Sequence, residues 1–235
     1  MTPESGGITV AFIGSDGAGK TTVVSSLESW LSWRLDVSSL YMGTSQPARG
    51  GLLLKRAAKL SRSASRYLER NAQQSDSLSS AMLRTSQFLL ALRRVEEARR
   101  RHRNYVRAQR SAGRGAIVLF DRYPLPSVPI HDRPMDGPRL DEDIPTPRSK
   151  LVGRLSEREQ QIYRRILPPD HVVALQVSAD VSLRRKPDHD PRSIEAKTKA
   201  VRRSGGNENG FIDIDADQPL ELVVAEVRRR IWDCL

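Results

Sequence analysis

The sequence predicts an α/β fold with a central parallel sheet, and three observations carry that expectation. Short, almost wholly apolar and β-branched segments stand at 8–13, 116–120 and 171–177, the pattern of strands buried on both faces. Longer stretches with apolar residues at helical spacing lie between them. Alternation of the two favours parallel strands joined by helical crossovers. The 235 residues are 38% hydrophobic and 29% charged, enough for one core that removes about 70–75% of the unfolded surface from water.

The elements follow in order. Ile8 to Ile13 is the first strand, and a Gly-rich turn leads from it into an amphipathic helix at 21–35. Residues 37–42 are a second strand, weakly patterned. The segment 44–75, rich in Gly, Ser, Ala and Arg, is expected to be loop with short helices. From 77 to 111 the pattern is one long helix. Phe88, Leu92, Val95, His102 and Val106 fall near one face, while Arg100, Arg103, Arg107, Arg110 and Arg114 recur at three- and four-residue spacing on another. Gly115 introduces the strand 116–120. Residues 124–150 hold many of the prolines and read as a long loop, a length often tied to function. A helix at 151–167 ends at Pro168 and Pro169, before the strand 171–177. Helix, turn and helix are expected over 181–199, with the turn at 187–191, then a last strand at 211–215 and a closing helix at 220–232.

Composition narrows the classes. The one cysteine, Cys234, excludes a disulfide scaffold and a Cys-based zinc cage, and a reducing compartment is its simplest home. No apolar run approaches the ~18 residues of a membrane helix, and residues 1–7 lack the basic and apolar regions of a signal peptide. A cytoplasmic protein without a membrane span is expected. The formal charge is +11, and 32 of the 39 basic residues are Arg, so an anionic partner is expected. Arg grips phosphate oxygens with a planar fork.

The segment Gly14-Ser15-Asp16-Gly17-Ala18-Gly19-Lys20-Thr21 matches the phosphate-binding loop pattern in full and lies between a buried strand and a helix. Glycines let the backbone curl until successive N–H groups face phosphate oxygens. The helix start adds its positive dipole end. Lys20 supplies a point charge for the β- and γ-phosphates, and the Thr21 hydroxyl suits Mg²⁺. An ATP site over Gly14 to Thr22 is expected. Asp121-Arg122-Tyr123 stands at the carboxyl end of the strand 116–120, the edge where parallel sheets bind ligands. Asp121 is placed to orient Mg²⁺ or its water, and Arg122 to grip a second phosphate. No Asn-Lys-x-Asp guanine signature occurs. Arg184, Arg185 and Lys186, then Arg192, Lys197 and Lys199, flank a turn rich in Pro and Asp. This segment, about 184–199, reads as a lid that closes cations over the transferring phosphoryl group, or else as a solvated charged hairpin.

These residues together resemble the thymidylate kinase family of P-loop nucleoside monophosphate kinases. Residues 12–22 look like its opening, and 115–123 like its glycine, apolar strand and Asp-Arg-Tyr. Pro169-Asp170, Ser178-Ala179-Asp180 and Leu183-Arg184-Arg185 resemble its strand leading to the lid. Asp213 to Val227 is similar to its last strand and helix start. The likeness covers about 60% of the chain, in order. It implies a three-layer P-loop NTPase fold with central parallel sheet, helical insert and lid. It also implies that Lys20 and Thr21 hold ATP phosphates and Mg²⁺, and that Asp121 works near the metal. Asp16 and Arg122 would contact the acceptor, with Tyr123 beside them, as would an Arg on the long helix. By distance to Asp121 that is Arg100, with Arg93 and Arg99 as neighbours. Ala18 stands where some members carry an Arg, which shifts the catalytic cation to the lid and to Arg184, Arg185 and Arg192. The family's Arg-Glu-Pro-Gly-Gly segment is replaced by residues 41–47, the Ser and Tyr-Gln after Asp-Arg-Tyr by 124–127, and the loop 131–139 has no counterpart. The donor side is intact and the acceptor side rewritten.

The expected protein is a single P-loop kinase domain, 1–235, with its core at 8–42 and 115–235. A mostly helical insert at 44–114 forms the acceptor side and a candidate homodimer face. It would transfer the ATP γ-phosphoryl group to a small phosphorylated acceptor, a nucleoside monophosphate in the manner of a dTMP kinase. The alternatives are a kinase for a non-nucleotide anionic metabolite such as a sugar phosphate, and a non-catalytic P-loop ATP-binding module docking on nucleic acid or protein. Against nucleic acid, aromatic side chains in the Arg stripe are few, and Glu96 and Glu97 interrupt it. His131 and His189 lack ligand spacing to another His or Cys. Trp30, Trp33 and Trp232 read as core or dimer contacts.

Overall fold

A computed structural model describes residues 6–43, 76–130, 133–144, 149–204 and 210–235. The expected loop and short helices of 44–75 lie outside the described residues. The chain divides into two compact units. One comprises Met1–Gly43, Asn104–Gly137 and Leu167–Leu235; the other comprises Thr44–Arg103 and Pro138–Ile166.

The first unit is built on five parallel strands: β1 (Thr9–Gly14), β2 (Val37–Tyr41), β3 (Ile117–Asp121), β6 (His171–Gln176) and β7 (Phe211–Asp215), in the order β2-β3-β1-β6-β7. The α/β expectation is met. β1 and β3 are buried at every position, which is why their sequences read as unbroken apolar runs. Edge strand β2 is only half buried, and its alternation is correspondingly weak. Glu28 of α1 (Lys20–Leu31) holds that edge by accepting hydrogen bonds from the Ser39 amide at 2.9 Å and its hydroxyl at 2.7 Å. α1 and α7 (Leu220–Trp232) bury Val23, Leu27, Val223, Val227 and Ile231 in one cluster with Phe12, Leu119 and Val173 of the sheet. Each such side chain contributes roughly 1.5–3 kcal/mol of burial.

Asp170 fixes the register of β1 against β6. Its Oδ2 accepts from the Thr9 amide at 2.8 Å and hydroxyl at 2.7 Å, and its own amide donates to Thr9 Oγ1 at 3.0 Å. These bonds lie at the amino ends of the strands, so Gly14 comes level with Leu175 at the other ends, while the pairing of β1 with β3 sets Phe12 level with Asp121.

Residues 124–150 are not one long loop. β4 (Leu125–Ile130) and β5 (Arg133–Met135) pair antiparallel, and a short helix, α3 (Leu140–Asp143), follows. Leu125, Val128 and Met135 are buried at spacings broken by a register shift between Leu125 and Pro129. An irregular two-stranded ribbon tolerates prolines that a central strand would not, so neither period-2 alternation nor the proline count betrayed it. The long helix, α2 (Asp76–Ala112), runs from the second unit into the first, which begins again at Asn104.

In the second unit Leu90 and Ala91 of α2 pack with Leu140, Ile144 and Val152, the last from α4 (Lys150–Tyr163). The Glu159 carboxylate, buried in α4, accepts from the amides of Arg139 and Leu140 at the start of α3, at 3.2 and 2.9 Å. Burial raises its pKa despite those donors. Ion pairs partly neutralise the Arg stripe: Arg93 and Arg94 with Glu97, Arg94 with Asp143, and Arg103 with Glu96. No helix among the described residues is long and apolar enough to cross a membrane.

The tryptophans do not enter the core. Trp33 is 79% exposed and Trp232 58%. Trp30 meets Trp232 edge-on at 5.7 Å, and Arg228 lies 5.5 Å over the Trp30 ring.

Candidate functional site

The loop from Gly14 to Lys20 connects β1 to α1 at the carboxyl edge of the sheet. Gly19 is left-handed, with φ +85, and caps α1 without a side-chain hydrogen bond. The amides of the first turn thus face outward as donors for an anion. At Gly17, φ is +89, and a Cβ would stand 3.0 Å from the Ser182 carbonyl oxygen. Only glycine lets the loop backbone approach α5 (Ala179–Arg185) so closely. A buried 2.7 Å hydrogen bond between the Ser15 and Ser182 hydroxyls completes that contact. Ala18 packs into the core below, so the cradle is held from beneath and from one side.

Lys20 is 7% exposed and donates to the carbonyls of Gly14 at 2.9 Å and Ser15 at 2.7 Å. Burial drives its pKa down and Arg122 adds to that. Asp16, Asp121 and Asp136 oppose, and the amine settles at about 8, against an ordinary 10.5. Thr21 donates its hydroxyl to Asp121 Oδ2 at 2.8 Å. Asp121 Oδ1 is buried and has no hydrogen-bond partner among the described residues. A buried carboxylate oxygen left unmatched beside a hydroxyl is a hard-oxygen donor pair open to one more ligand.

Arg122 follows with φ +64, a left-handed backbone that is costly for a residue with a side chain. The chain turns there off the end of β3, and Arg122 Nη2 donates to Asp16 Oδ1 at 3.2 Å. Burial would lower its pKa, but Asp136, Tyr41, Asp16 and Asp121 outweigh it and raise it. Asp16 sits at the centre of the cations. Its Oδ2 is ion-paired with Lys197 of α6 (Pro191–Ser204) and lies 3.8 Å from His189 Nδ1. Burial pushes the Asp16 pKa up, yet Lys197, Lys20 and Arg122 together hold it down at about 2.

Asp16, Lys20, Thr21, Arg122 and His189 border a cavity of about 350 Å³. The loop residues Asp16, Gly17 and Gly19 to Thr22 form one wall, and Arg122, Arg185, Lys186 and His189 the other. Of the arginines expected in the lid, Arg185 reaches it and donates to the carbonyls of Gly17 at 3.3 Å and Ala216 at 3.1 Å. Arg184 and Arg192 are exposed and do not line it. Tyr123 is 1% exposed; its ring packs on Phe120, and its hydroxyl donates to the Leu167 carbonyl at 2.5 Å. Arg100 stands on α2 in the second unit. Lys197, one of the cations of the 184–199 segment, reaches the Asp16 carboxylate at the cavity's edge, a contact the sequence did not predict. A usable signal existed: Lys197 falls three after Ile194 and four before Val201, both buried, so it shares their face of α6. Among the described residues no group of three or more His, Cys, Asp or Glu could hold a metal ion. Any metal here would need oxygens from a ligand as well.

No protein-family model matches the chain. Curated relatives do. It is 26% identical over 235 residues to the uncharacterized ATP-binding protein YghR of Escherichia coli strain K12, covering 94% of this chain and 86% of that protein. It is also 24% identical over 229 residues to the uncharacterized ATP-binding protein YghS of the same strain, covering 96% and 93%. The chain is a distant homologue of both.

Proposed function

We propose that this protein binds ATP with Mg²⁺ and transfers the γ-phosphoryl group to a small phosphorylated acceptor, a nucleoside monophosphate first among them. The observation that carries the reading is the cradle itself: a glycine-capped start of α1, whose first-turn amides have no intrahelical partner, with Lys20 and the Thr21–Asp121 pair at its mouth. Both relatives are named as ATP-binding proteins, which supports ATP as the donor.

The chemistry is a single displacement. An oxygen of the acceptor phosphate attacks the γ-phosphorus and forms a new P–O bond. The bond from that phosphorus to the β,γ-bridging oxygen breaks, and its electron pair leaves on ADP. The transition state spreads negative charge over the equatorial oxygens, so the protein works by positioning and by neutralising charge. Lys20 would leave the two loop carbonyls for the β- and γ-phosphates. Arg122, aimed inward by its left-handed backbone, would hold the acceptor phosphate. Asp121 Oδ1 and the Thr21 hydroxyl suit Mg²⁺, which when bound neutralises phosphate oxygens and fixes their geometry. Charge matching supports a pair of anionic substrates. Lys20, Arg122, Arg185, Lys186 and Lys197 stand against Asp16, Asp121 and Asp136, a surplus of two positive charges. A magnesium–ATP complex and a monophosphate each bring about two negative ones.

Two measurements follow. ADP release is assayed with Mg–ATP and a panel of nucleoside monophosphates, dTMP leading, then sugar phosphates, with Lys20→Ala as the control. Acceptor-dependent ADP from the wild type alone is the expected result. ATP binding with no stimulation by any acceptor would move the reading to a binding module. The second measurement is pH dependence. The phosphates bind the protonated amine of Lys20, whose pKa in the free protein is about 8, and an anion beside it raises that pKa. Affinity should therefore be level below pH 8 and fall as pH rises beyond it, by up to tenfold per unit. Calorimetry in buffers of different ionisation enthalpy should register proton uptake on binding near pH 8–9. A flat affinity from pH 7 to 10 would remove Lys20 from the phosphates.

A further inference from the structure

We infer that Lys197 is the lid cation that meets the terminal phosphate of a bound triphosphate, and that Asp16 is its resting place in the empty site. The inference rests on the phosphotransfer reading and names a residue of that site to which neither the loop motif nor the relatives assign a role.

The other lid cations are exposed or already engaged. Arg184 and Arg192 are exposed and stand off the cavity. Arg185 spends its guanidinium on the carbonyls of Gly17 and Ala216, where it braces the loop. Lys186 and His189 lie on the exposed turn between α5 and α6. Lys197 differs on each count. It stands mid-helix on the face of α6 that buries Ile194 and Val201, its side chain is only 21% exposed, and its amine is on the carboxylate that lines the cavity. A helix holds such a group more accurately than a turn does.

Asp16 is well supplied without it. Arg122 contacts the other carboxylate oxygen at 3.2 Å, and His189 Nδ1 lies 3.8 Å from the oxygen that Lys197 holds. Lys197 can therefore leave without stranding a bare charge, which would be costly at a site so little exposed. A lysine on a four-carbon stem can shift its charge from one anion to the next while its helix stays in place. A γ-phosphate beside Lys20 brings the stronger counter-charge.

The test compares the affinities of a non-hydrolysable ATP analogue and of ADP, both with Mg²⁺, by calorimetry on the full chain. Four forms are measured: wild type, Lys197→Met, Lys197→Arg and Asp16→Asn. The wild type should prefer the triphosphate. Lys197→Met should lose that preference by about tenfold while ADP affinity stays within about twofold, as loss of one charge-assisted contact to the γ-phosphate predicts. Lys197→Arg should recover most of the preference, and Asp16→Asn should keep it. Three results would overturn the inference. One is equal loss of both nucleotides with a lowered Tm in Lys197→Met, the mark of a strut. Another is an Asp16→Asn protein that copies Lys197→Met, the mark of a role exercised only through the ion pair. The third is an undiminished preference in Lys197→Met. A wild type that takes neither nucleotide overturns the nucleotide reading first, and the inference with it.

Discussion

Replacing Lys20 by Met should lower nucleotide affinity and turnover by about a hundred- to a thousandfold, the scale of removing one preorganised donor from a developing negative charge. The same change should leave the ligand-free protein at least as stable as wild type. The two expectations share one cause. Folding carries the Lys20 amine into a site where its pKa falls from 10.5 to about 8, so below pH 8 the folded state holds a proton at a cost of about 3 kcal/mol. That cost is fully present below pH 8. It fades as pH climbs towards 10.5, where the unfolded chain also gives up the proton. Methionine has no proton to hold, though it leaves the carbonyls of Gly14 and Ser15 without their donor, an offset of about 1 kcal/mol. Urea unfolding at pH 7 and pH 10 reads the difference. The variant should gain on the wild type by up to about 2 kcal/mol at pH 7, and the gap should close at pH 10. A variant that is less stable at both, with nucleotide affinity intact, would make Lys20 a structural tie for the loop.

The loop of the candidate site was legible in the sequence because its information is local. Eight consecutive residues, Gly14 to Thr21, shape the loop and would carry its proposed chemistry, and the strand before them announces itself by unbroken apolarity. Asp121 and Arg122 were legible for a related reason: a strand buried at every position ends at a carboxylate, and the edge of a parallel sheet where it ends is known in advance. What could not be read is set by distance along the chain. Asp16 and Lys197 stand 181 positions apart, and no local pattern links them. The choice among lid cations turned on helix phase. Arg184 and Arg185 are adjacent, yet a turn of about 100° between neighbours sends one to solvent and the other to the loop carbonyls. Tyr123 shows the reverse case, a residue next to two candidate-site residues in sequence and expected beside them. Its ring went instead to the core, because the left-handed backbone at Arg122 redirects the chain between them. The hairpin of β4 and β5 was hidden by its own irregularity, and it bears on the proposed acceptor side. Asp136, just beyond β5 and itself left-handed at φ +56, acts electrostatically on both Arg122 and Lys20. The segment that departs most from the thymidylate kinase pattern thus adds a carboxylate to the field in which an acceptor phosphate would bind.

Asp121→Asn should separate nucleotide binding from its use. Asparagine keeps an oxygen to accept from Thr21 at the position that now receives its hydroxyl at 2.8 Å, so the loop mouth need not rearrange. It removes the charge on a group 5% exposed, one oxygen of which has no hydrogen-bond partner among the described residues. The amide nitrogen is as unmatched there as that oxygen was, and the charge that favours cationic Lys20 and Arg122 is lost, so the variant should match the wild type in Tm or fall slightly below it. Lys20, Arg122 and the α1 amides are untouched, so affinity for ATP without Mg²⁺ should hold within a few fold. The Mg²⁺ concentration at half-maximal turnover should rise by about ten- to a hundredfold, since one carboxylate is a large share of the few protein ligands that Mg²⁺ accepts. Maximal turnover should fall by at least as much. Titration of turnover with Mg²⁺ at saturating ATP measures both. An unchanged Mg²⁺ requirement would assign the metal to phosphate and water alone and leave Asp121 as the anchor of Thr21. A requirement that rises while metal-free ATP binding holds would instead identify the buried, unmatched oxygen as the metal's place.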